Sequence, residues 1–194
     1  MSFATGYRGV VGGSVQSAYT DQPGVGVPGM VAFASDNMLK DAVVIGEANG
    51  IAAGRGVRLT AVSDDISLQR PNLQALLPAA GSNEAAFAGI LLFDEAMQSD
   101  ENGVPGWADG RMGRIAKNNR AGGRIYVKAV EAVTLTDTVN WVTIAPVDAS
   151  YAIGEFSPSA LGGTTLGTSV AISTARWVSE ADAGGVAIIE LLGA

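Results

Sequence analysis

Apolar residues in this chain gather into runs too short for anything but strands, at Met30–Ala34, Ala42–Ile45, Val57–Val62, Ala88–Phe93, Ile125–Val133, Val139–Ala145, Val170–Val178 and Gly185–Leu192. Short runs that recur at this spacing, broken by turn residues, are the mark of a β-rich domain. The breaks are rich in glycine, 26 residues in all, roughly twice the average usage of about 7%. These glycines follow no period, which excludes a collagen-like helix and favours many turns between strands. The fold expected is therefore mostly β: a small β-barrel or sandwich-like domain with short helical turns and an extended N-terminal arm.

The arm is the segment 1–29. It combines Gly6, Gly9, Gly12, Gly13, Gly24, Gly26 and Gly29 with Pro23 and Pro28, and it has the period of neither strand nor helix. A segment of this kind buries little against its own domain, so it either stays mobile or lies on a neighbour. Residues 30–194 form the β-rich domain, in one piece or as two small lobes over 30–97 and 111–194. Within it, Pro71–Leu77 (PNLQALL) is the best helical candidate, with Pro where a first helical turn tolerates it. Gln98–Gly110 (QSDENGVPGWADG) reads as an exposed loop, and Ser179–Gly184 as the hairpin connection between the last two strands. Any of the three tryptophans could anchor an interface, where Trp is enriched, but Trp141 and Trp177 sit inside expected strands and read as core.

With 194 residues, 47% of them hydrophobic and 16% charged, the chain is too apolar for disorder and long enough for one sizeable core. It contains no Cys and no His. The first absence removes disulfides, thiol nucleophiles and zinc ribbons. The second removes the usual general base at neutral pH and the commonest metal ligand. The chain thus reads as a non-enzyme, with no cofactor, metal or small-molecule substrate expected. A net charge of -7 argues against nucleic acid as a partner. No apolar run approaches the roughly 18 residues that span a bilayer, and the N-terminus has no apolar h-region. A soluble protein, made in the cytoplasm and without a membrane partner, is the expectation.

Gly24–Gly29 spells G-x-G-x-x-G, yet Asp21-Gln22-Pro23 precedes it and Pro28 lies within it, where a dinucleotide fingerprint needs a strand before and a helix after. An ordinary loop accounts for it better. Carboxylates occur in pairs at Asp64-Asp65, Asp94-Glu95 and Asp100-Glu101; a carboxylate-based hydrolase would need two of them converging in a cleft, whereas neighbours in a strand point to opposite faces. The loop from Asp100 lacks the fifth and sixth positions of a calcium loop. Half of the twelve basic residues fall between Arg111 and Lys128, namely Arg111, Arg114, Lys117, Arg120, Arg124 and Lys128, with no acid among them. Such a stretch either meets a negatively charged partner surface or is a solubilised hairpin tip over Lys117–Gly123, or a guarded edge strand.

Several segments taken in order resemble a known family. Pro28-Gly29-Met30-Val31-Ala32 follows the Gly-rich arm, Ala88-Gly89-Ile90 and Gly123-Arg124-Ile125-Tyr126-Val127 read as strands, and Ala175-Arg176-Trp177 precedes Gly184 to Leu191 with its alternating close. Together they resemble the cement, or decoration, proteins of tailed-bacteriophage capsids, over about Tyr19 to Gly193. The resemblance implies a virion protein on the outer capsid surface that binds the major capsid protein, self-associates as a homotrimer and inherits no catalytic residues. Tyr7, Arg8 and Tyr19 of the arm and Arg111, Arg114, Lys117, Arg120 and Arg124 of the basic stretch are the candidate contacts. Another virion module, such as a tail or adhesin β-domain, would share this composition and differ in copy number per particle.

Overall fold

A computed structural model of the chain describes residues 26–34, 38, 40–61, 73–94, 97–99, 105–118, 121–148, 150–162 and 167–193. Tyr7, Arg8, Tyr19 and Arg120 therefore lie outside the described residues, as does the arm up to residue 25. The described part is nearly all β, as expected, with a single 3₁₀ turn at Glu84–Ala86.

Five strands close a barrel: β2 (Lys40–Ile45), β4 (Gly56–Ala61), β5 (Leu73–Leu76), β6 (Gly89–Leu91) and β9 (Met112–Lys117), in the order β2-β5-β4-β6-β9. Alternation dictates what fills it, because successive side chains on a strand point to opposite faces. Val43 and Ile45, Val57 and Leu59, Leu73, Ala75 and Leu77, Leu91 and Ile115 converge in one apolar cluster, with Trp107 packed against it. Lys40, Ala42, Arg58, Met112 and Arg114 occupy the alternate positions. β3 (Ile51–Ala52), β8 (Pro105–Trp107) and β7 (Gln98–Ser99) form a small sheet beside the barrel.

The second sheet is antiparallel, ordered β1 (Val31–Ala34), β10 (Ala121–Lys128), β15 (Val186–Leu192) and β14 (Ala175–Trp177). Its inner face contributes Ile125, Val127, Ala187, Ile189, Leu191 and Trp177 to the larger cluster. A third sheet, β12 (Phe156–Ser157), β11 (Asn140–Ile144) and β13 (Thr168–Ala171), adds Trp141 and Phe156. The barrel wall closes this cluster from the other side. Ile90, Leu92 and Ala116 belong to the large cluster while Leu91 and Ile115 fill the barrel, so β6, its continuation and β9 serve two interiors with their two faces.

The structure overturns several local expectations. Leu73–Leu76 is a strand, not a helix. LQALL alternates as well as it coils, and pairing with β2 in parallel and β4 in antiparallel register is what closes the barrel. Gln98–Gly110 is not wholly loop, since β7 pairs with β8 and β8 with β3, which half-buries Trp107. Lys117–Gly123 is neither a hairpin tip nor a guarded edge. β9 lies between β2 and β6, and β10 between β1 and β15, so the chain passes there from barrel to sheet. Asn118 holds that passage, its side-chain amide donating to Phe87 O at 2.6 Å. The run Val170–Val178 splits between two sheets at a turn around Ser173. By contrast β14 and β15 pair across the expected hairpin, and Trp141 and Trp177 are core residues.

Close approach of barrel and sheet depends on Gly56. A Cβ there would stand 2.6 Å from Trp141 Nε1 and 2.8 Å from its Cδ1. The indole is fully buried and meets Phe87 edge-on at 5.3 Å, so it has nowhere to retreat. Gly56→Ala is expected to lower stability by about 1–3 kcal/mol, the usual cost of overpacking a core. Thermal or urea unfolding of the variant checks this; an unchanged midpoint would show the wall to be looser than its packing indicates.

Candidate partner-contact surface

The basic stretch does not form one patch. Lys117 faces the inner column of the barrel at its end and donates to Asp41 at 2.9 Å. Arg124, on the outer face of the four-stranded sheet, donates from Nε to Glu190 at 3.0 Å. Lys128, four residues on along the same face, donates to the buried Glu155 at 3.2 Å. Each of these cations is answered within the chain. Arg111 and Arg114 are exposed, and among the described residues neither has a carboxylate partner.

Arg111 precedes β9, where its carbonyl accepts from Ile45 N, and Arg114 lies opposite Ala42 on the outside of the barrel. Met112 sits between them, opposite Val44, with 57% of its surface exposed. Lys40 is exposed on the adjoining strand. These residues make a cationic face around an apolar centre. The sequence shows the charges of β9 but not Lys40, which only the β2–β9 register brings beside them.

The sheet's outer face carries a row that sequence reasoning missed. Phe33, Arg124, Glu190 and Arg176 lie directly opposite one another across β1, β10, β15 and β14. Arg176 donates to Glu190 Oε2 from Nε at 2.6 Å and from Nη2 at 2.5 Å, while Arg124 uses Oε1 and places its guanidinium carbon 5.7 Å from the Phe33 ring centroid. Tyr126 continues the face, and Gly26 lies so close to its ring that no side chain fits. Gly26, the first described residue, therefore lies against this face.

Acidic groups collect elsewhere. Glu131 accepts from Ser159 Oγ at 2.5 Å and Asp148 from Ser150 Oγ at 2.9 Å. The two serine donors, the backbone N–H foremost, hold Asp148 below the usual carboxylate value. Burial first, and then the charges of Glu131 and Asp148, raise the Tyr151 phenol above its usual value. Among the described residues no group of three acids is arranged to hold a metal ion. Asp64, Asp65, Glu95, Asp100 and Glu101 fall outside the described residues.

This all-β chain, with a closed barrel backed by antiparallel sheets, matches the family of structural cement proteins (E217 gp24/Pam3 gp6) over residues 15–192. The chain belongs to that family of phage structural proteins. Among solved structures it is similar to a chain from the capsid of Myoviridae phage XM1, at 16% identity and a TM-score of 0.52, covering 91% of this chain and 94% of that one. A chain of the head fibre gp8.5 N base of bacteriophage phi29 is also similar, at 12% identity and a TM-score of 0.36, over 79% of this chain and 93% of that one. No curated protein sequence matches.

The Arg124–Glu190–Arg176 bridge makes stability depend on pH. Burial alone would raise the Glu190 carboxyl, but the hydrogen bonds and charges of Arg176 and Arg124 outweigh it and hold the group below its usual value. A carboxyl lowered on folding stabilises the fold above its unfolded pKa, and that contribution disappears as pH falls through the folded value. Glu190→Gln should therefore cost roughly 1 kcal/mol at neutral pH, limited by the solvent around both guanidinium groups, with the difference closing below about pH 4. Urea titrations of both proteins at neutral and acid pH give the comparison, and a pH-independent difference would mean that packing, not charge, carries the effect.

Proposed function

We propose that this protein is a capsid cement protein that binds the outer surface of the assembled phage head, stabilises contacts between major capsid subunits, acts as a homotrimer and performs no catalysis. The observation that carries the reading is the family match over residues 15–192. The described part of the chain agrees with it. A stiff β body with a double-sided barrel wall presents fixed surfaces, and its basic groups divide into those used to hold the fold and those left for a partner. The arm, with Tyr7, Arg8 and Tyr19, is the element proposed to lie on the shell, since its composition suits an extended contact.

The physical basis of such a role is linkage. A protein that binds the assembled lattice and not free subunits stabilises the lattice by mass action, and many equivalent copies make modest individual affinities collective. The protein is synthesised in the host cytoplasm and ends on the virion, with no membrane or nucleic acid among its partners.

Co-sedimentation with expanded, empty capsid shells tests the role. The full chain should saturate a fixed number of sites per shell, and a chain lacking residues 1–25 should bind at least about tenfold more weakly, the loss expected when one of two linked contacts is removed. Virions without the protein should break at lower temperature and milder osmotic shock. Absence of binding, or particles equally robust without it, would defeat the proposal.

A further inference from the structure

Two exposed surfaces of this chain are opposite in charge and alike in construction. On the barrel, Arg111, Arg114 and Lys40 surround Met112, which is 57% exposed. At the β11–β12 connection Asp148 adjoins Val147, which is 82% exposed, the most of any large apolar residue described, while Glu131, after β10, is bound to Ser157 and Ser159 at the end of β12. Apart from Arg176, which is committed to Glu190, residues 129–194 contain no base at all, so nothing within that part of the chain neutralises the acidic surface. Among the described residues no cation pairs with Glu131 or Asp148, and no carboxylate pairs with Arg111, Arg114 or Lys40. Each surface thus sets an exposed apolar residue among charged groups that have no ion-pair partner among the described residues, which is how protein contacts combine an anchor with orientation.

We propose that the Lys40, Arg111, Met112 and Arg114 face of one copy docks on the Glu131, Val147 and Asp148 surface of a second copy of this chain. The second copy is the occupant because it carries the complementary charge; each molecule offers both halves. Since the halves differ, the contact is heterologous, and a heterologous contact that closes produces a ring, the arrangement a cyclic trimer requires. The inference deepens the self-association within the proposed cement role and gives it particular residues.

The test uses the full chain in solution, without shells, by analytical ultracentrifugation. Wild-type protein should associate at low salt and dissociate as salt rises toward about 0.5 M, where screening shortens to a few ångströms. R111E/R114E and E131K/D148K should each weaken association by at least about tenfold. Mixing the two variants should restore pairwise association as heterodimers, because the basic surface of the second meets the intact acidic surface of the first, whereas a ring of three must include one contact between like variants and stays open. All four positions are solvent-accessible, and unchanged thermal unfolding of the variants confirms that the fold is kept. Wild-type protein that stays monomeric, association indifferent to both variants, or a mixture that forms no heterodimer would overturn the interface. Shell binding is scored separately: a chain that associates in this way but ignores shells removes the cement role and leaves the interface, whereas a monomer that binds shells does the reverse.

Discussion

Two hydrophobic interiors share a wall, and the rest of the molecule is arranged around that sharing. Along residues 90–92, Leu91 points into the barrel while Ile90 and Leu92 point away from it; along β9, Ile115 points in and Ala116 out. An antiparallel strand often keeps one face for water, but along residues 90–92 and at Ile115–Ala116 both faces are dry. Each large apolar side chain removed from water contributes about 1.5–3 kcal/mol, and placing such residues at consecutive positions ties the two clusters together over a very short stretch of chain. Gly56 completes the wall by omission, because the Trp141 indole occupies the space a side chain would need. Barrel and sheets are coupled by packing, and no disulfide or buried ion network is required for it.

Electrostatics then acts on what packing has fixed. Three of the cations in the basic stretch reach carboxylates far away in sequence: Lys117 meets Asp41 at a separation of 76 residues, Arg124 meets Glu190 at 66 and Lys128 meets Glu155 at 27. Pairs of this kind, partly open to solvent, contribute little each to stability. Their larger consequence is subtractive. They withdraw positive charge from the surface, so that what looks in sequence like one uniform basic patch becomes a smaller one on a single side of the barrel. A row in which Glu190 bridges two arginines does the same on the outer sheet face, where it also fixes the direction of the Arg124 guanidinium against Phe33.

This division explains which parts of the structure were legible beforehand. Strands built on short apolar runs or on alternation, such as β2, β10, β11 and β15, declare themselves because burial is written into every second residue or into several in succession. The β-rich class, the buried Trp141 and Trp177 and the closing hairpin follow from that pattern. β9 does not declare itself: MGRIAK spends its outward positions on Met112 and Arg114 and one inward position on Gly113, so few apolar residues remain to show a period. β5 fails differently, since LQAL satisfies helix and strand alike and only its two neighbours in the barrel select the strand. The contact surface was legible as charge and illegible as geometry. Nothing local to Arg114 or Arg124 distinguishes them; one faces Ala42 and the other Glu190, and those partners are set by register between strands remote in sequence.

A protein whose work is to hold other proteins together must resist deformation while leaving its surfaces free to specialise, and the alternation of strands reconciles the two demands. Inward positions are constrained by volume on both sides of the shared wall, so a change there is felt throughout the core. Outward positions open to solvent on β2 and β9 are constrained far less: Lys40, Met112 and Arg114 are exposed, and a substitution at such sites ordinarily costs within about 0.5 kcal/mol. Contact chemistry can therefore be altered residue by residue on β2 and β9 without disturbing the barrel those strands build. Charge placed there also acts from a rigid support, which reduces the conformational entropy lost when a partner arrives. The stiffness of the double-sided wall in this sense supports the surface proposed to bind.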